Sequence, residues 1–203
     1  MSALLMPSPV STPPPKFVPK PIRWTCQQFQ DMSDSGVLEG RTVILVDGEI
    51  LDMPKPNPPH DTAVTLTLYV LLRVFAQDHF VRVQTGLPTN LDTDPIPDLA
   101  VIAGSPRDFS KQHPSTASLV VEVADSSLDY DLGTKSNLYA AAGILDYWVI
   151  DVNGQQLHVF RDPVADATAP RGFRYNSIQV LDHADTITPL AGSVPIAVAD
   201  LLP

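Results

Sequence analysis

A glutamate stands in the middle of the most β-prone apolar stretch of the chain, Leu119-Val120-Val121-Glu122-Val123-Ala124. Strand alternation puts Val120 and Glu122 on one face and Val121 and Val123 on the other. An ionised carboxylate isolated among such neighbours is expensive, so Glu122 must reach a strand end, meet a cation or bind a metal. Asp98 raises the same question at the start of a second apolar segment, Pro97-Asp98-Leu99-Ala100-Val101-Ile102, where Pro97 holds the entering chain extended. Two carboxylates at the ends of neighbouring strands make a hard-oxygen site of the kind that Mg²⁺ completes with waters and phosphate oxygens. Taken singly, each acid reads as solvated or salt-bridged. A helix adds a third element, because Asp131, Lys135 and Tyr139 are spaced i, i+4 and i+8 and share a face. If that helix packs beside the Glu122 strand, the Lys135 ammonium points toward the two acids. Taken alone, Asp131 and Lys135 read as an ordinary surface pair worth about 0.3–0.5 kcal/mol.

Other chemistries find no support. No Gly-x-Ser-x-Gly sequence is present, and His113, His158 and His183 have no recognisable Ser or Cys partner. The ten glycines form neither a G-x-G-x-x-G loop nor a Gly-Lys-Thr/Ser loop. A single cysteine, Cys26, excludes an intrachain disulfide framework and a cysteine-built zinc site, and it suits a reducing compartment. The formal net charge is −10, and the first 23 residues contribute Lys16, Lys20 and Arg23 with no acid, which leaves −13 on the remainder. Such a body is not a polyanion binder by bulk charge, so a nucleic-acid contact requires a local basic surface, a metal or a second subunit. No apolar run approaches the ~20 residues of a membrane span, and the start of the chain is a poor secretory signal. The expected location is the cytoplasm, with no membrane partner.

The elements that must position these groups follow from pattern. Residues 1–22 hold seven of the 21 prolines and read as a flexible arm, ahead of a single domain over residues 23–203. The Pro13-Pro14-Pro15 run fits an SH3-type ligand, although a linker is the simpler reading. A short helix is expected around Trp24 to Gln30. Thr42–Val46 and Glu49–Met53 form a hairpin about Asp47-Gly48. A helix is expected from about Asp61 to Asp78, burying Val64, Leu68, Leu71, Leu72 and Phe75, with Asp61 or His60 at its N-cap. Strands are expected at Phe80–Leu87, at Pro97–Ile102 and at Ser118–Ala124. A helix then runs from about Tyr130 to Ala142 and stops at Gly143. Leu145–Val152 and Gln156–Phe160 make a hairpin about Asn153-Gly154, and Phe173–Leu181 is a further strand. Strands and single helices in this order imply an α/β domain of the mixed α+β kind, with a mixed central sheet flanked by helices.

Pro97-Asp98 followed about two dozen residues later by Glu122-Val123-Ala124 resembles the PD-(D/E)XK nuclease signature, with Ala124 standing where that signature has its lysine. A branch of that superfamily, the Uma2 (Uma-two) family of restriction endonucleases, carries its lysine on the following helix. The chain resembles this family from Leu119-Val120-Val121-Glu122-Val123-Ala124-Asp125-Ser126-Ser127 through Asp131, Lys135, Tyr139, Ala140 and Gly143 to Tyr147-Trp148-Val149-Ile150-Asp151. Upstream, Val46-Asp47-Gly48-Glu49-Ile50 and His60 ahead of a long helix also match, so the resemblance spans roughly residues 38 to 160. Between Ser127 and Asp131 stand Leu128, Asp129 and Tyr130, where many relatives carry basic residues.

The resemblance implies a restriction-endonuclease-like core and metal-dependent hydrolysis of DNA. Asp98 and Glu122, with the carbonyl of Val123, would hold Mg²⁺ or Mn²⁺. Lys135 would orient the attacking water or offset developing charge, with Asp131 and Tyr139 supporting it. Glu49 is either an additional acid near the metal or a hairpin-edge acid. His60 either contacts phosphate or helps cap its helix. Tyr147 and Trp148 lie in an apolar strand and read as core. A homodimer is the expected assembly. The competing readings are a catalytically inactive nucleic-acid-binding or interaction module on the same fold, and a structural protein whose acids are solvated.

Overall fold

The computed structural model describes residues 19–75 and 77–203. Most of the expected Pro-rich arm therefore lies outside the described residues. Thr25 caps α1 (Cys26–Asp34) through a reciprocal pair with Gln28. The hairpin β1 (Val43–Val46) and β2 (Glu49–Asp52) turns on Asp47 and Gly48, whose φ angles of 50° and 74° are those the Asp-Gly pair was expected to supply.

α2 spans Pro58–Val74, three residues earlier at its start and four at its end than expected. Asn57, not Asp61 or His60, is the N-cap, and its side chain accepts the His60 N–H at 3.2 Å. Pro58 and Pro59 open the helix because a first-turn residue has no intrahelical use for its missing N–H. Val64, Leu71 and Phe75 are buried as expected, but Leu72 is 49% exposed on the outer flank.

Six strands form one sheet in sequence order: β3 (His79–Val83), β4 (Leu99–Ala103), β5 (Leu119–Ala124), β6 (Asp146–Asp151), β7 (Gln156–Ala165) and β8 (Phe173–Asp182). Only β5 and β6 pair in parallel. The mixed sheet expected from the sequence is therefore present. β3 stops four residues short of the expected end, where Gln84 takes a φ of 47°. The β6–β7 turn also departs from expectation. Gln155, not Gly154, takes the positive φ, and the Asp151 carboxylate accepts the Gly154 N–H at 2.8 Å. β7 extends past Phe160 because β8 pairs along its whole length.

The parallel β5–β6 pair demands a crossover, and the segment between them supplies it: α3 (Leu128–Tyr130), a π segment (Asp131–Lys135) and α4 (Ser136–Ala141). The helix thus begins earlier than expected and contains a π stretch. Four residues of α-helix overshoot a full turn by roughly 40°, whereas the wider π turn falls short of one. The two departures oppose each other and keep Asp131, Lys135 and Tyr139 on one side.

Alternation along the strands creates two cores. Leu99, Val101, Leu119, Val121, Val123, Trp148 and Ile150 pack under α2. Ala100, Ile102, Val120, Ala124, Tyr147 and Val149 pack under α4 and the β1–β2 hairpin. A short pair, β9 (Thr186–Ile187) and β10 (Ile196–Ala197), closes the chain's end against the α2 side. Asp146, fully buried, accepts from Trp148 Nε1, Arg161 and the Leu190 N–H, and so ties this end to the sheet. No helix among the described residues is long and apolar enough to cross a membrane.

Candidate active site

Glu122 belongs to the face that packs under α4, and it is 1% exposed. Leu99 pairs with Val121 in the antiparallel β4–β5 register, so one further step places Asp98 opposite Glu122. Residues directly opposite share a face. The Val123 N–H donates to Asp98 Oδ2 at 2.8 Å, which locks the Asp98 side chain across to β5. The two acids predicted from sequence therefore meet at one strand end.

The lysine arrives from the crossover helix. Lys135 Nζ lies 2.8 Å from Glu122 Oε2 and 2.9 Å from Asp131 Oδ1. The Asp131–Lys135 pair is not on the surface, as its spacing alone suggested; the residues are 1% and 6% exposed. No donor is aligned on Asp131 Oδ1, so that contact is coulombic. Tyr139 OH donates to Glu122 Oε1 at 2.8 Å, and Tyr147 OH donates to the Asp131 carbonyl at 2.9 Å. Tyr139 and Tyr147 pack with ring centroids 4.9 Å apart. Tyr147 and Trp148 are core, as expected.

His60, from the first turn of α2, places Nε2 at 3.2 Å from Asp98 Oδ1. Its role in helix capping is through its backbone N–H alone. Glu49 is not brought to the site: it pairs with Arg23 at 2.6 Å on the exposed hairpin and does not line the cleft.

The electrostatics follow from burial and neighbours. Burial pushes Glu122 up to about 8, and the charges of Asp131 and Asp98 add to it, against the pull of Lys135. Burial works to discharge Lys135, but Glu122 and Asp131 outweigh it and raise the ammonium above the ordinary lysine value. Burial also pushes on Asp98, yet the His60 hydrogen bond and charge, with the Val123 N–H and Lys135, hold it below the usual carboxylate range. The hydrogen bond it donates to Asp98 raises His60 in turn, against desolvation.

These groups form the floor of a cleft of about 500 Å³. Leu38, Val43, Met53 and Ile96 supply apolar lining, and Arg41, Lys55, Asn57, Gln84 and Asp125 supply polar lining. Among the described residues, no group of three or more His, Cys, Asp or Glu side chains forms a metal-holding array. The donor chemistry nevertheless fits a hard divalent ion. Asp98, Glu122 and Asp131 set three carboxylates against one ammonium and one imidazole, and Mg²⁺ ordinarily takes only one or two carboxylates beside its waters.

Four contributors were not singled out from sequence. Gln84 donates through Nε2 to Asp98 Oδ1 at 3.3 Å, and nothing in its strand pattern marks it. Asn57 donates to Asp125 at 2.7 Å besides capping α2; an Asn ahead of two prolines is a legible cap. Ser127 donates to Asp131, four residues on, another readable local pair. Tyr147 was read only as core.

A family model described as "Putative restriction endonuclease", Uma2, matches residues 26–195. The chain is also similar to the crystal structure of a protein from Anabaena variabilis titled a putative nuclease belonging to DUF820. That likeness has a TM-score of 0.64 and 20% identity, and it covers 89% of this chain and 97% of the other. No curated protein matches.

Proposed function

The chain belongs to the Uma2 family, and from that membership we propose that it hydrolyses DNA phosphodiester bonds with the help of a divalent cation, Mg²⁺ or Mn²⁺. One observation carries this reading: Asp98, Glu122 and Lys135, far apart in sequence, converge on the floor of one cleft. Asp98 and Glu122 would hold the cation, with the Val123 carbonyl as a further ligand. When bound, that cation supplies acidification of water and stabilisation of charge on the phosphoryl oxygens.

The protein's own groups do the rest. Lys135 is held by Glu122 and Asp131 and keeps its proton, so it acts as a fixed positive charge aimed at developing negative charge, not as a base. Tyr139 fixes one Glu122 oxygen and leaves the carboxylate a single orientation. His60 and Gln84 both reach Asp98 Oδ1 and set the plane of that carboxylate. His60 also lines the cleft.

The test is cleavage of DNA in Mg²⁺ or Mn²⁺ beside calorimetric titration of the ion. Glu122→Ala should abolish both signals while the variant remains folded by circular dichroism. Wild-type protein that binds no divalent ion would end the enzymatic reading. One observation favours the alternative, a non-catalytic nucleic-acid-binding module: every carboxylate oxygen of Asp98 and Glu122 already has a partner in the protein. Nucleic-acid binding with no cleavage in either metal would decide for it. The cytoplasm and a homodimer complete the proposal, the latter tested by light scattering.

A further inference from the structure

We propose that this cleft takes an unpaired nucleic-acid strand, not an uninterrupted duplex; this rests on the nuclease reading above and specifies its substrate class. The reacting groups do not stand on a surface. Glu122 is 1% exposed, Lys135 6% and Asp131 1%, and the Asp98 side chain is 13% exposed. A phosphate reaches them only by entering the recess. The phosphates of an intact duplex are carried on its convex rim and held in line by their stacked neighbours. A strand free of pairing has no stacked neighbours to hold its backbone in line and can turn a single phosphodiester inward.

The shape of the recess agrees. Its volume of about 500 Å³ lies in the range of sites that enclose a small molecule. The lining also has an apolar part: Leu38, Val43, Met53 and Ile96 are each half-buried and line the cleft beside the acids. A nucleobase presents a flat apolar face to such a lining only when it has left its stack. Phosphate on a charged floor and base on an apolar lining is the pairing of surfaces that one unpaired nucleotide offers.

Charge points the same way. Arg41 and Lys55 line the cleft, and both are exposed. Arg41 is paired with Asp52 at 2.9 Å, and Asp125, which Asn57 and Asn153 hold in place, is a further acid of the lining. Lys135 is engaged by Glu122 and Asp131. A chain of net charge −10 with, besides Lys135, two cations lining the cleft among the described residues is poorly matched to the phosphate density of a duplex. It suits one or two phosphates of a single strand.

The experiment compares three probes of one sequence: a labelled single strand, its blunt duplex, and that duplex with an unpaired tail. Binding is read by anisotropy with Ca²⁺ in place of Mg²⁺, and cleavage is read in Mg²⁺ and Mn²⁺. The single strand and the tailed duplex should bind, with cuts confined to unpaired residues, and the blunt duplex should do neither. Two phosphate contacts predict a slope of log K against log salt of about −1.4, and Lys55→Ala should reduce it by about 0.7. Met53→Ala should weaken single-strand binding roughly four- to fifteenfold, the loss of one or two buried methylene-sized groups. Equal binding and internal cutting of the blunt duplex would overturn this inference and leave the nuclease reading standing. Single-strand binding without cleavage would support it and remove the hydrolytic step. Failure to bind any probe would overturn both.

Discussion

Lys135→Met tests whether the acids and the lysine form one buried electrostatic unit. Methionine keeps an unbranched chain of similar reach and removes only the charge. In the wild type the ammonium stands 2.8 Å from Glu122 and 2.9 Å from Asp131, all three residues being buried. Removing one partner of such a pair leaves an uncompensated charge and typically costs about 3–5 kcal/mol. For a chain of this size each kcal/mol lowers the melting temperature by about 2–4 °C, so the variant should melt roughly 6–20 °C lower. The deficit should depend on pH. Burial already raises Glu122 from 4.5 to about 8, and losing Lys135 raises it further. A group whose folded value exceeds its unfolded value contributes stability at low pH and loses it as pH rises through the folded value. The deficit should therefore be flat up to about pH 8, where wild-type Glu122 ionises, and grow above it. Glu122→Gln combined with Lys135→Met should recover part of the loss, since it removes one orphaned charge. Chemical denaturation across pH, with both variants, makes the measurement. A deficit below about 1 kcal/mol, flat with pH, is the signature of a solvated surface pair and would refute the reasoning.

Tyr139→Phe should cost about 1–3 kcal/mol by urea denaturation, because it leaves Glu122 Oε1 without its donor in a fully buried place. Arg161→Met should destabilise by about 3–5 kcal/mol while leaving divalent-ion binding unchanged, since it strands the fully buried Asp146 on the far side of the sheet from Asp98. Asp94→Asn should relieve a pH-dependent strain: burial raises the Asp94 carboxyl, so wild-type stability should fall as pH rises through its titration. Melting curves at acid and neutral pH should show that fall in the wild type and a flatter profile in the variant.

The strands were legible because alternation and turn chemistry are local. Asp47-Gly48 gave its hairpin, Gly143 with a φ of 72° ended the crossover helix, and Val120 and Val121 point to opposite cores. Misplaced boundaries have local causes too. Pro58 and Pro59 lie ahead of the start expected at Asp61, yet with Asn57 as cap they open the helix. Gln84 ends β3 by entering the left-handed region, which nothing in Phe80-Val81-Arg82-Val83 announces.

The sequence alone determined which groups were improbable where they stood: Glu122 amid valines and Asp98 behind Pro97 at a strand start are anomalies of local free energy, visible without coordinates. It also set the spacing that puts Asp131, Lys135 and Tyr139 on one helical face. Whether those anomalies share one solution was a matter of register and packing. The β4–β5 pairing set Asp98 opposite Glu122, and the π segment carried Lys135 inward to 2.8 Å from Glu122. Tertiary structure also moved Glu49 to Arg23 and brought His60 and Gln84 to Asp98. Contacts between residues distant in the chain depend on strand register and helix rotation, and a one-residue change in either sends a side chain to the opposite face.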